Sequence, residues 1–188
     1  MEYEIMIPPF KHDGFEHLNR KQAEEYFQWY MSQIDYRIKI LSDAVSSSSV
    51  LLDFTVDSLI DLWEWYEDKI IVEKKTEEEL KEEVGKYPSW MEKEISTTKI
   101  SLDTWKIGMD VAIYFAEVFR KAAGETIYWG YFTKPKKRAS VNQPVLLGFK
   151  KEMDLDARRV VVNCTRHSSE ERKKTRLYDM VNVWMKYI

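Results

Sequence analysis

The sequence predicts an α+β domain: an antiparallel helical layer packed with a small antiparallel β-hairpin or sheet and completed by C-terminal helices. Three observations carry that prediction. Apolar residues recur at helical spacing through most of residues 15–124. After Gly124 the pattern changes to a β-branched and aromatic run, Thr126 to Thr133, followed past a basic loop by the apolar run Pro144 to Phe149. Helical spacing then returns from Asp156 to the end. A chain of 188 residues that is 44% hydrophobic and 32% charged can build one core under a solvated surface. The expected organisation is therefore a single domain over 1–188: a helical part (15–124), the hairpin (126–149) and a C-terminal helical part (156–188).

The first helix is expected from Asn19 to Val45. Phe27, Ile34 and Leu41 interleave with Met31, Ile38 and Val45 in a seven-residue repeat, and Asn19 with Gln22 forms a capping-box pattern. Three heptads suit a seam inside a domain, and the alternative is a homo-oligomer built on the same residues. Ser46 to Ser49 fits a turn plus cap. A second helix is expected from Val50 to about Val72, with Leu52, Val56, Leu59, Trp63, Tyr66 and Ile70 on its apolar side. Thr76 with Glu79 opens a short acidic helix ending near Gly85, and Pro88 starts a further turn of helix through Ile95.

From Ser101 to Ala123 the stripe Gly108, Val111, Ala112, Phe115, Val118, Phe119 and Ala122 defines a long helix, stopped by Gly124 in the position that favours positive φ. Gly108 and Ala112 are small residues on that face and admit close approach of a neighbouring element. Residues 156–167 fit either a helix capped by Asp156 or, through Val160 to Val162, a strand; the helix is preferred. Ser168 or Ser169 is expected to cap a last helix with the stripe Leu177, Met180, Val181 and Trp184.

The net charge of −3 hides a division: residues 1–100 carry −10 and residues 101–188 carry +7. Such a chain pairs its halves internally or shows a bipolar surface to a partner. No run of apolar residues is long enough to span a bilayer, so no membrane partner is expected. The start lacks the basic-then-apolar layout of a secretory signal, and one cysteine, Cys164, suits a reducing cytoplasm.

Catalytic chemistry is thinly supplied. His12 and His17 are five apart, which puts them on different faces of a helix with no third ligand, so no metal is expected. No phosphate loop or Gly-x-Gly-x-x-Gly occurs among only six glycines, so no cofactor is expected. Cys164 and His167 are three apart, the spacing by which a histidine can lower a thiol pKa, and they are the basis of an enzymatic alternative together with clustered carboxylates.

Two charged features suggest binding instead. On the second helix Asp53, Asp57, Asp61, Glu64 and Asp68 share one narrow arc, with the aromatics Phe54 and Trp65 at its margin. That pattern suits either a solvated face or a docking face for a basic protein. Lys134, Lys136, Lys137 and Arg138 form a basic hairpin loop near Tyr128, Trp129, Tyr131 and Phe132, an arrangement that allows phosphate contact and base stacking. Nucleic acid is the lesser expectation, because the acidic half repels the same polyanion.

Three stretches, Asp110-Val-Ala-Ile-Tyr-Phe-Ala-Glu-Val-Phe119, Tyr128-Trp-Gly130 and Gln143-Pro-Val-Leu-Leu-Gly-Phe149, together resemble a pattern in small uncharacterised bacterial α+β proteins. In that pattern a helix carrying Gly-Glu-Val leads into a Trp-bearing strand and a second strand with Gln-Pro. Some of these proteins look like immunity or accessory partners of secreted toxins. Glu117, Trp129, Gln143 and Pro144 are the matching positions, and Ala116 stands where the pattern has glycine. The resemblance spans residues 110–149 and implies helices packed on a small antiparallel sheet and a partner-binding role. Together these readings give the expected function: non-catalytic binding of another protein, with an acidic helix face docked on a basic partner.

Overall fold

The structure, a computed structural model, describes residues 3–88, 90 and 95–188. Its elements, in chain order, are α1 (Arg20–Val45), α2 (Ser58–Glu67), β1 (Val72–Lys74), α3 (Glu77–Val84), β2 (Thr98–Ile100), α4 (Leu102–Ala123), β3 (Tyr128–Gly130), β4 (Val145–Leu147), α5 (Ala157–Ser168) and α6 (Arg176–Met185). This is the α+β architecture the sequence predicts, and the short helix expected from Pro88 to Ile95 falls largely on residues outside those described.

The arrangement centres on α4. Every residue from Asp110 to Phe119 is buried, and α1, α2, α5 and α6 all pack against this helix. Its large apolar side chains, such as Phe115 and Phe119, each stabilise the fold by about 1.5–3 kcal/mol through removal from water. The helix begins with Ser101, whose hydroxyl accepts the Thr104 amide, and ends at Gly124 with φ 77°. Gly108 does what its size suggests: a Cβ there would lie 2.6 Å from the Tyr66 hydroxyl, so α2 and α4 approach through this residue.

Two apolar clusters result. The larger joins the inner faces of α2, α4, α5 and α6 with Leu41 and Val45 of α1 and with Leu146 and Phe149 of the hairpin. The smaller lies on the other side of α1 and α4, where Tyr26, Tyr30, Ile34 and Ile113 are covered by Met6, Phe10 and Phe15 of an N-terminal arm. The seam on α1 is thus spent inside the molecule: Ile34, Leu41 and Val45 are buried, and Phe27 packs on Tyr131 with ring centroids 5.0 Å apart.

Both expected capping boxes form, Asn19 with Gln22 and Thr76 with Glu79, and Asp156 caps α5 by accepting the Arg159 amide at 3.2 Å. The expected hairpin also forms, with Tyr128 opposite Leu147 and Gly130 opposite Val145, though each strand is only three residues long.

Three expectations are corrected. α2 starts at Ser58 instead of Val50, because Asp53 Oδ1 accepts both the amide and the hydroxyl of Thr55, Thr55 Oγ1 accepts the Ser58 amide, and Phe54 takes φ 63°. The chain leaves α2 to form β1, which pairs antiparallel with β2 in a small sheet the sequence did not suggest. Ser168 and Ser169 end α5 and do not cap α6, which follows Thr175 without a side-chain cap. On α4 the charged residues Asp110 and Glu117 are both buried.

Candidate functional site

The acidic residues do not form one helical arc. Asp53 lies in the irregular approach to α2, Asp57 precedes its first turn, Asp61 and Glu64 stand on the helix, and Asp68 follows its end. All five are nevertheless exposed and lie along one short segment of chain. Asp68 is taken by Arg172, whose NH2 donates to it at 2.5 Å. Asp53 is occupied by Thr55, whose hydrogen bonds hold its carboxyl below the usual range. Asp57, Asp61 and Glu64 have no lysine or arginine partner among the described residues.

The two aromatics beside them are not free anchors. Phe54 is half-buried against Tyr114 at 5.2 Å, and the Lys121 ammonium sits 3.3 Å from its ring centroid. Trp65 is half-buried on the core, with the Lys69 ammonium 5.6 Å from its ring.

Two of the four basic loop residues are consumed by the fold. Lys136 donates to the carbonyls of Glu16 and Leu18 at 3.2 and 3.0 Å. Arg138 pairs with Asp154, donates to the Glu152 carbonyl at 2.8 Å and stacks on Phe132 with its guanidinium carbon 3.8 Å from the ring centroid. Lys134 and Lys137 are exposed.

Cys164 and His167 do not form a nucleophile and base. The cysteine is buried at 4% exposure, and burial pushes its thiol up to about 11, away from the thiolate such chemistry needs. His167 is exposed, and no hydrogen bond joins it to the thiol.

The four positions matched by the resemblance turn out to be joints between elements. Trp129 Nε1 donates to Glu117 Oε1 at 2.7 Å, tying β3 to α4, and Arg120 donates to Glu117 Oε2 at 2.8 Å. Gln143 accepts from Arg158 at 2.5 Å and donates to the Ala139 carbonyl, while Pro144 is buried beside β4.

Two buried ionic clusters were not singled out from the sequence. Arg37 of α1 and Asp110 of α4 form a bidentate pair at 2.7 and 2.8 Å, exposed by 1% and 0%. Tyr3 donates to the same carboxylate at 2.5 Å, and Arg37 also donates to the Glu4 carbonyl at 2.7 Å, which straps the N-terminal arm across α1. Burial pushes the Asp110 carboxyl up, against the hydrogen bonds from Arg37 and Tyr3. In the second cluster Glu67 Oε1 accepts from Trp63 Nε1, the Ser168 hydroxyl and the Lys173 amide. Arg172 lies 3.7 Å from its other oxygen, so this carboxylate holds the α5–α6 connection onto α2.

Among the described residues no group of histidine, cysteine and carboxylate side chains is arranged to hold a metal ion, and no helix is long and apolar enough to cross a membrane. Compared with known proteins, the chain matches no family model, no curated protein and no solved structure.

Proposed function

We propose that the protein acts by binding another protein, a basic one, through the acidic edge that runs from Asp53 to Asp68. The observation that supports this reading most is the contrast between the two charged features. Asp57, Asp61 and Glu64 are exposed without a cationic partner among the described residues, whereas Lys136 and Arg138 of the basic loop are committed to carbonyls, a carboxylate and an aromatic ring and only Lys134 and Lys137 stand free of such contacts. Unpaired like charges on a short rigid segment repel one another weakly in the free protein and steer an oppositely charged partner. The concrete form of the proposal is an immunity-like or accessory role, in which this edge occludes a basic surface of a toxin or similar effector. Phe54 and Trp65 contribute packing beneath the edge and are not its anchors.

The test is quantitative affinity capture from the source cells with the wild-type chain and with the charge-reversed variant Asp57→Lys, Asp61→Lys, Glu64→Lys, both first shown to fold alike by circular dichroism. The proposal expects a basic partner retained by the first and lost from the second, with association slowed about tenfold or more and weakened by salt. The same set of partners on both chains refutes it.

A further inference from the structure

Three buried side-chain atoms of the described residues lack a hydrogen-bond partner: His12 Nδ1, Asn142 Oδ1 and Arg158 Nε. All three belong to side chains that meet at one residue, Phe15. The His12 ring lies 4.6 Å from the Phe15 ring, the Arg158 guanidinium carbon lies 5.2 Å from the same ring centroid, and Asn142 Nδ2 donates to the Phe15 carbonyl at 2.7 Å. Orphaned buried polar atoms are few in folded proteins, so three around one side chain call for a common cause.

The geometry fixes what each offers. Asn142 is 1% exposed, and its Nδ2 is committed to the Phe15 and Leu18 carbonyls. Reversing the amide would set oxygen against oxygen, so Oδ1 stays an acceptor in need of a donor. Arg158, in the first turn of α5, donates through NH2 to Gln143. Its Nε is ion-paired with Asp156 Oδ1 at 3.5 Å but makes no hydrogen bond. On the adjoining face of α1, Tyr26 and Tyr30 are 6% and 1% exposed, and the Tyr26 ring packs on Phe15 and His12 with centroids 5.0 and 5.7 Å apart. Burial pushes both phenols up, and the Arg158 charge pulls them partly back.

We propose that this cluster, between the N-terminal arm, α1 and the start of α5, binds a small oxyanion that also carries a hydroxyl, of the chemistry shared by hydrogen phosphate and 2-hydroxycarboxylates. Arg158 Nε and the two tyrosine hydroxyls donate to the oxyanion, Asn142 Oδ1 accepts the ligand hydroxyl, and the His12 imidazole adds a further polar contact. Asp156 opposes the anion and keeps the affinity weak, at about 1 mM. Access is by lifting the arm, whose residues 3–13 make no backbone–backbone hydrogen bond among the described residues and are held by contacts that involve side chains.

The test is a titration of the full-length protein with inorganic phosphate, glycolate and sulfate at constant ionic strength, followed by amide chemical shifts and by hydrogen exchange of residues 3–18. The proposal expects saturable shifts confined to the surroundings of His12, Asn142 and Arg158, half-complete at about 1 mM, together with slower exchange in the arm. Phosphate acting without glycolate, or the reverse, assigns the source. Tyr30→Phe is expected to weaken binding about fivefold through loss of one hydrogen bond, and Arg158→Met to abolish it. Should Arg158→Met misfold, the Tyr30→Phe result decides. The proposal is overturned by no saturable change up to about 50 mM of either probe, by equal binding of sulfate, or by unchanged binding in Tyr30→Phe.

Discussion

Replacing Asp110 by alanine isolates the most deeply buried ion pair among the described residues. Arg37 would keep the Glu4 carbonyl at 2.7 Å and the Glu4 carboxylate at 3.5 Å, but Glu4 is 55% exposed and cannot neutralise a guanidinium that is 1% exposed. Tyr3 would also lose its acceptor. Removing one partner of a buried pair costs about 3–5 kcal/mol. For a chain of this length each kcal/mol moves the melting temperature by about 2–4 °C, so the variant is expected to melt about 10 °C lower. Replacing both partners together, Arg37→Met with Asp110→Leu and with Tyr3→Phe to remove the stranded hydroxyl, leaves no buried charge and is expected to recover most of the loss. Urea denaturation of the single and combined variants yields the coupling energy directly. A cost below about 1 kcal/mol for Asp110→Ala would show that water reaches the pair, and a combined variant no better than the sum of its parts would show that the charges are not what the site lacks.

Three further predictions follow from the core. The Cys164 thiol is raised from its ordinary 9.0 to about 11 by burial, so it contributes stability that is present below pH 9 and lost as the pH rises through 11; denaturation midpoints of wild type and Cys164→Ala should converge across that range, and thiol labelling at pH 8 should proceed only through unfolding. Gly108→Ala is expected to cost about 1–3 kcal/mol in spite of its better helix propensity, because the new methyl meets the buried Tyr66 hydroxyl, which is bonded to the Thr104 carbonyl and to Thr165; Gly108→Ala combined with Tyr66→Phe should be less harmful than Gly108→Ala alone, as a urea titration will show. Glu67→Gln should cost about 1–3 kcal/mol by weakening three hydrogen bonds at one oxygen, with a change in the near-ultraviolet dichroism of Trp63.

Much of the fold was legible in the sequence because its signals are local. Asn19, Thr76 and Asp156 cap helices where the spacing places them, and Gly124 ends α4. Failures occurred where a local competitor or a distant partner decided the outcome. Asp53-Phe54-Thr55 bonds to its own backbone and delays α2 by eight residues relative to the apolar pattern, and the sequence spacing that puts Asp-x-Thr ahead of Ser58 was a usable warning. β1 is three residues whose pairing depends on β2, across the whole α3 excursion, and nothing in Val72-Glu73-Lys74 announces that. The buried charges were missed because charge was taken to mark the outside. Arg37 in fact stands in the register of the α1 stripe, three residues after Ile34 and four before Leu41, and Glu67 stands four after Trp63. The acidic edge was visible as composition, but its division between a loop, a helix and a helix end was not.

The unbroken burial of α4 from Asp110 to Phe119 has a bearing on how this chain tolerates change. An ordinary amphipathic helix offers evolution a wet side on which charge and size drift freely; these ten consecutive positions offer none. Substitutions accumulated in this lineage should therefore concentrate in the exposed stretches of α1, α3 and α6, while α4 evolves only by paired replacements with the helices that enclose it. A saturation library over residues 110–119 would then yield almost no folded members bearing a new lysine or glutamate, and the survivors would come from volume-matched apolar exchanges.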